Sequence, residues 1–244
     1  TSFQYYLKIK KKYLWKKYNN LFDKQIKKNK QLNYEDWLNF TEKKLIQDLK
    51  LKYKDKKSNF IIYSGNNIKS KCNYDWIILT RENIVITKVF DYVINYISTN
   101  KNHIDIAYGD EDHISENQIR FQPIFKPAWN KDIFWADPFF TSHWIISRKL
   151  WCELIKNDSK ILNLNFEEIS FLLIKNIVQN KKENSVKHIP FILSSRNFKF
   201  YDFYSKGKRS KYKEILFKHI QEVNINAFDT LDIDESKDIN ISWS

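Results

Sequence analysis

Residues 105–151 narrow what this chain can fold into more than any other stretch. A short apolar run, 104–107, reads as a buried strand, and a second apolar segment follows at 144–147. Between them lies an acidic cluster, Asp110, Glu111 and Asp112, just past a glycine that suits a turn. A polar excursion follows, with a Phe125-Lys126-Pro127 step inside it. Upstream, 60–63 and 76–79 read as strands, and 84–97 reads as a helix leading back to the strand at 104. Strand, loop, strand, helix, strand is the alternation of an α/β fold.

The rest of the chain extends that pattern. Segments 148–155 and 166–178 read as helices, 188–193 as a late strand, 210–223 as a helix and 239–243 as strand-like. Residues 113–140 look irregular and hold three of the four prolines, Pro123, Pro127 and Pro138. A connection that long is more often functional than accidental. Residues 2–57 read as helical and basic, with a second helix over 34–51 carrying Trp37, Leu38, Leu45, Ile46 and Leu49 as its apolar set. The organisation is therefore a basic helical segment (1–57), an α/β domain (58–200) and a C-terminal helix and strand extension (201–244).

Charge decides between partner classes. The formal net charge is +13, but residues 1–57 hold 17 Lys against 6 acids, while the remainder holds 25 basic and 23 acidic residues. The body is nearly neutral. Only five of the 42 basic residues are Arg, which weakens a nucleic-acid reading, because base and phosphate readers favour arginine's fork. Residues 1–57 are either a helical hairpin packed on the domain or a basic amphipathic surface for anionic lipid. Two cysteines, Cys72 and Cys152, make no disulfide framework and fit a reducing compartment. No apolar run reaches the roughly 18 residues of a membrane span, and no signal peptide is visible. The expected location is cytoplasmic, or peripheral at the inner face of the membrane. The chain starts at Thr1 and lacks Met, which points to a piece of a longer protein.

Carboxylates at a strand end can hold a hard divalent cation, and such a cation can neutralise a diphosphate leaving group. A bare acidic turn in solvent explains a lone D-x-D equally well. The longer string is more specific. Asp105, Tyr108, Asp110, Glu111 and Asp112, then Phe125, Lys126, Pro127 and Trp129, then His143 with Arg148, follow one another in order and spacing. Together they resemble the second half of bacterial family 2 glycosyltransferases of the inverting GT-A type. The resemblance covers about residues 34–243. His188, Ile189, Pro190 and Leu193, then Ile241, Ser242 and Trp243, resemble the end of a first module in tandem members.

The resemblance implies a GT-A-like, Rossmann-like mixed sheet flanked by helices. It also implies transfer of a sugar from a nucleotide-sugar donor to a glycan acceptor hydroxyl in surface polysaccharide assembly. Glu82, Asp110 and Asp112 are the positions left to hold a divalent cation, Mn or Mg. Arg81, Asp110, Asp112, Lys126, Trp129 and His143 are the substrate-binding candidates, and Glu168, opening the helix after 166, is the candidate base. Two departures qualify this. The D-x-D-D expected after the strand at 76–79 reads Thr80, Arg81, Glu82, Asn83, with Arg81 where a metal would sit. About 20 residues separate the basic helices from Trp76, too few for two βα units of roughly 30 residues each. The alternative is a degenerate module that binds glycan or docks a catalytic domain, with a second glycosyltransferase domain of the parent chain as partner. A third class is a membrane-surface or nucleic-acid binder acting through residues 1–57.

Overall fold

The computed structural model describes residues 34–53, 58–64, 73–99, 104–130, 141–180 and 182–197, and the backbone of two further strands, β8 (Phe228–Ile233) and β9 (Ile239–Trp243). The helices expected over 2–33 and 210–223, and the turn expected at 64–67 beyond its first residue, lie outside those residues. The chain divides into two compact units, Thr1–Lys44 and Leu45–Ser244. Helix α1 (Tyr34–Lys52) runs across the division. In the first unit Leu38 is buried. In the second, Leu45, Ile46 and Leu49 join an apolar core.

That second unit is α/β, built on a mixed sheet flanked by helices. Its strands are β1 (Phe60–Ser64), β2 (Trp76–Thr80), β3 (Ile84–Ile86), β4 (Ile106–Ile114), β5 (Arg120–Ile124), β6 (His143–Ser147) and β7 (Val186–Asn197). The order is β1-β2-β6-β4-β7-β3, with β5 paired to β4. Pairs β1/β2 and β4/β7 are parallel; β6 runs antiparallel between β2 and β4. Among the described residues β1 is the one strand that precedes β2 in the sequence.

The sheet is covered on both faces, and the period of two shows it. Ile77, Leu79, Ile106, Tyr108, Trp144 and Ile146 join one core with helices α3 (Arg148–Asn157) and α4 (Phe166–Gln179). Trp76, Ile78, Ala107 and Ile145, their alternating neighbours, join another with helix α2 (Phe90–Thr99). Phe90, Val93, Ile94 and Ile97 give α2 a buried stripe at helical spacing. Both C-terminal helices start on side-chain caps. Ser147 Oγ accepts from Leu150 N–H at α3, and Asn165 with Glu168 forms a capping box at α4. Trp144 Nε1 donates to Ser170 Oγ at 2.8 Å, fixing α4 against β6.

Four expectations change. Residues 84–86 are strand, not the start of a helix: three β-branched residues pair with β7, and Thr87 Oγ1 donates to Ile192 O at 2.9 Å. Strand β4 does not end before the acids but runs through them to Ile114, with all nine residues buried. Gly109 makes no turn; a Cβ there would sit 2.5 Å from Leu193 Cδ1, so it is a close-packing position. The irregular stretch contains β5, which turns back onto β4 through 115–119. Among the described residues no helix is long and apolar enough to cross a membrane. Cys152 is disulfide-bonded; the other cysteine in the sequence, Cys72, lies outside the described residues.

Candidate functional site

The polar centre of the domain forms where β4 and β7 approach their ends and β6 begins, the edge at which open α/β sheets gather ligands. Its middle is Glu111, fully buried in β4. Oε1 accepts from Ser142 N–H at 2.6 Å, with Thr141 Oγ1 3.2 Å away. Oε2 accepts from Ser142 Oγ at 2.9 Å and from Arg196 Nε, and lies 3.6 Å from Lys126 Nζ. The single Thr141 proton lies closer to His143 O, at 2.8 Å, so three hydrogen bonds and the Lys126 ammonium hold the carboxylate. Burial works to raise the Glu111 pKa, but the Arg196 and Lys126 charges overcome it and hold the group well below the usual carboxylate range.

The flanking acids are matched too. Asp110 Oδ1 meets His188 Nε2 at 2.7 Å and accepts from Lys126 N–H at 2.8 Å. His188 stacks on Tyr108, whose hydroxyl donates to Pro127 O at 2.9 Å. Burial, helped by the Asp110 charge, raises the Tyr108 pKa. Asp112 Oδ2 accepts from Arg120 Nε at 2.8 Å.

His143 is fully buried. Its Nε2 accepts from Gly109 N–H at 3.1 Å, so the neutral ring carries its proton on Nδ1 and donates to Ser194 Oγ at 2.9 Å. Burial pushes its pKa down to about 4, and the Lys126 and Arg196 charges push the same way against the pull of Glu111. Although Nδ1 stands 3.9 Å from Glu111 Oε1, the pair is therefore a dipole beside a charge rather than an ion pair.

Arg81 leaves the end of β2 and is buried. Its guanidinium lies over the Phe166 ring at 5.0 Å and Nε is 3.6 Å from Glu167 Oε1. Its backbone N–H donates to Ser142 O, which ties the β2 end to the Glu111 centre. Glu82 is exposed in the β2–β3 turn, beside Asn83 at φ 59, a conformation asparagine tolerates. Trp129 is half-buried against the α3–α4 core. Glu168 closes the capping box: its Oε2 accepts from Asn165 N–H at 2.9 Å. Its neighbour Glu167 is the one that stands by Arg81.

Of the expected site residues, Asp110 and Lys126 come together around Glu111, with Arg81 tied in through Ser142. Asp112 sits on the same strand with Arg120. His143 stands beneath them, while Glu82 and Glu168 serve other places. Glu111, Thr141, Ser142, His188, Ser194, Arg196 and Glu167 were not among the expected site residues. One signal was available. In a chain with 37 Lys, the five arginines mark where a planar fork is needed, and three of them, Arg81, Arg120 and Arg196, each lie beside a carboxylate here.

At Glu111 the Arg196 and Lys126 charges and Ser142 already engage the carboxylate that a divalent cation would need. Among the described residues no group of three or more His, Cys, Asp or Glu side chains is arranged to hold a metal. A scan against models of known protein families returns no match, and neither does a comparison with curated proteins.

Proposed function

We propose that the chain is a glycosyltransferase-like α/β domain of the GT-A type that does not transfer sugar on its own, and that it acts as a glycan-binding or docking module. The observation that carries this reading is that Glu111 is engaged by Ser142, Arg196 and Lys126 of the chain itself. In a site built for metal and diphosphate, the acids at the strand ends must keep lone pairs for the ion. Here Arg196, Lys126 and Ser142 engage the Glu111 oxygens instead. The ordered string from Asp105 to Arg148 and the mixed sheet support the family likeness. The one strand ahead of β2 among the described residues and the Arg81–Glu167 pair support loss of the donor half. The partner that suits such a module is a catalytic domain of the same parent chain.

Titration calorimetry of the intact chain with UDP, GDP and dTDP, each with and without Mn²⁺, tests this. No binding of any nucleotide is expected. Metal-dependent binding at micromolar level would overturn the reading and restore an autonomous transferase. In that event Glu167, which faces Arg81, replaces Glu168 as the acid to examine: Glu167→Gln should abolish turnover while Glu168→Gln should not.

A further inference from the structure

Strand β1 ends one side of the seven-stranded sheet, and its edge differs from the others. A sheet edge carries a row of unpaired N–H and C=O groups, which proteins blunt with charges, proline, bulges or short strands. The other edges here are blunted. Strand β3 is three residues long. Strand β5 carries Arg120 and Pro123, a register shift against β4, and Gln122 at φ 47. The part of β7 ahead of its pairing with β3 carries Lys187 and Pro190. Strand β1, Phe-Ile-Ile-Tyr-Ser, has no charge and no proline, and it pairs with β2 over five residues without a shift.

Alternate residues of β1 bond to β2. Asn59 O accepts from Trp76 N–H at 3.2 Å and Phe60 stands opposite Trp76, so in a parallel ladder Asn59, Ile61 and Tyr63 are the bonded residues. The N–H and C=O of Phe60, Ile62 and Ser64 point away from β2, and among the described residues no strand pairs with them. Ile62 is 43% exposed.

This row is symmetric about Ile62. An antiparallel second copy centred there sets Ile62 against Ile62 of that copy and Phe60 against its Ser64, so the outward groups meet as hydrogen-bonded pairs. Ile61 then faces Tyr63 of the second copy, a β-branched residue against an aromatic, and no like charges meet. The chain's own copy therefore supplies the register that the edge needs.

We propose that β1 is a dimerisation edge: two copies of the chain pair β1 to β1, antiparallel about a two-fold axis at Ile62, and join their sheets into one. The proposal goes beyond the glycan-binding or docking reading and does not depend on it. Five residues bury little against the roughly 1,200–2,000 Å² of a stable interface, so the dimer is weak, with Kd in the micromolar range or above.

Sedimentation velocity of the full chain from about 1 μM to about 1 mM brackets that range. A monomer–dimer equilibrium is expected. Ile62→Lys and Ile62→Glu, each alone, should raise Kd at least about ten-fold, because like charges then meet at the axis. An equimolar mixture of the two should restore dimerisation, since opposite charges meet instead. Ile62→Pro should weaken it as well, because the lost N–H points outward while the bonds to β2 stay intact. Circular dichroism should show each variant folded. A chain that stays monomeric throughout overturns the proposal and leaves the edge to a strand of another partner. A dimer unchanged by the Ile62 variants, or a charge-swapped mixture that fails to restore it, overturns it too.

Discussion

Two residues at the centre of the sheet, Gly109 and His143, show how little room the polar network leaves. Gly109 has no side chain, so Leu193 packs directly on its backbone, and the exposed N–H reaches His143 Nε2. Gly109→Ala places a methyl within 2.5 Å of the Leu193 side chain, which must move. Overpacking of this kind costs about 1–3 kcal/mol. Urea denaturation should show that loss, and an unchanged midpoint would mean Leu193 relaxes freely. His143 carries a pH consequence. Its folded pKa lies near 4 against an ordinary value near 6.5, so the unfolded chain binds the extra proton between those values. Stability contributed by the neutral ring is then full above about pH 6.5 and is lost as pH falls toward 4. The difference corresponds to about 3 kcal/mol. Stability curves from pH 7 to pH 4 should be flatter for His143→Gln than for the unsubstituted chain, and parallel curves would refute a neutral buried ring. Glu111 adds a second loss at the lower end of this window, because its carboxyl takes a proton near pH 4.5 in the unfolded chain while the folded group stays ionised.

At the scale of elements, the apolar periodicities carried the prediction and the charged ones did not. The stripes of α2 and α4 and the continuous run of β2 were legible because one chemistry repeats at one spacing. Strand β3 was hidden because Ile84, Val85 and Ile86 prolong an apolar run into the helix behind them, and only β7 pairing separates the two. The acidic half of β4 read as an exposed turn because burial of three consecutive acids requires cations from β5, β7 and the loop after β5, which local sequence does not reveal. The same applies to Glu168, whose position at the helix start suits both a base and a cap; the Asn165 partner three residues earlier is the capping signature. Glu168→Ala should lower stability by about 1 kcal/mol, the usual value of a lost cap interaction. Glu167→Ala should change it less, since its contact with Arg81 is 3.6 Å long and the glutamate is 26% exposed. Chemical denaturation of the two variants side by side reads the difference, and equal losses would argue against the capping role.

For the whole molecule, the disulfide at Cys152 changes what the fold can be asked to do. Cys152 lies in α3, directly behind β6, and the sequence offers one partner, Cys72, shortly before β2. A bond between them would enclose about 80 residues, including β2, β3, α2, β4, β5 and β6. In the chain-entropy account a loop of that length restrains the unfolded state by about 4 kcal/mol. That is a large share of the 5–15 kcal/mol that typically separates folded from unfolded domains. Such a bond would relieve the polar network of supplying all of the stability, which suits a centre that buries several charges and gains little net energy from doing so. Mass spectrometry of the intact, unreduced chain should find no alkylatable thiol. Reduction should then lower the midpoint of denaturation markedly while leaving the far-ultraviolet spectrum at neutral pH intact. Two freely alkylated thiols in the native protein would refute the bond. The sheet would then have to hold its buried charges on packing alone.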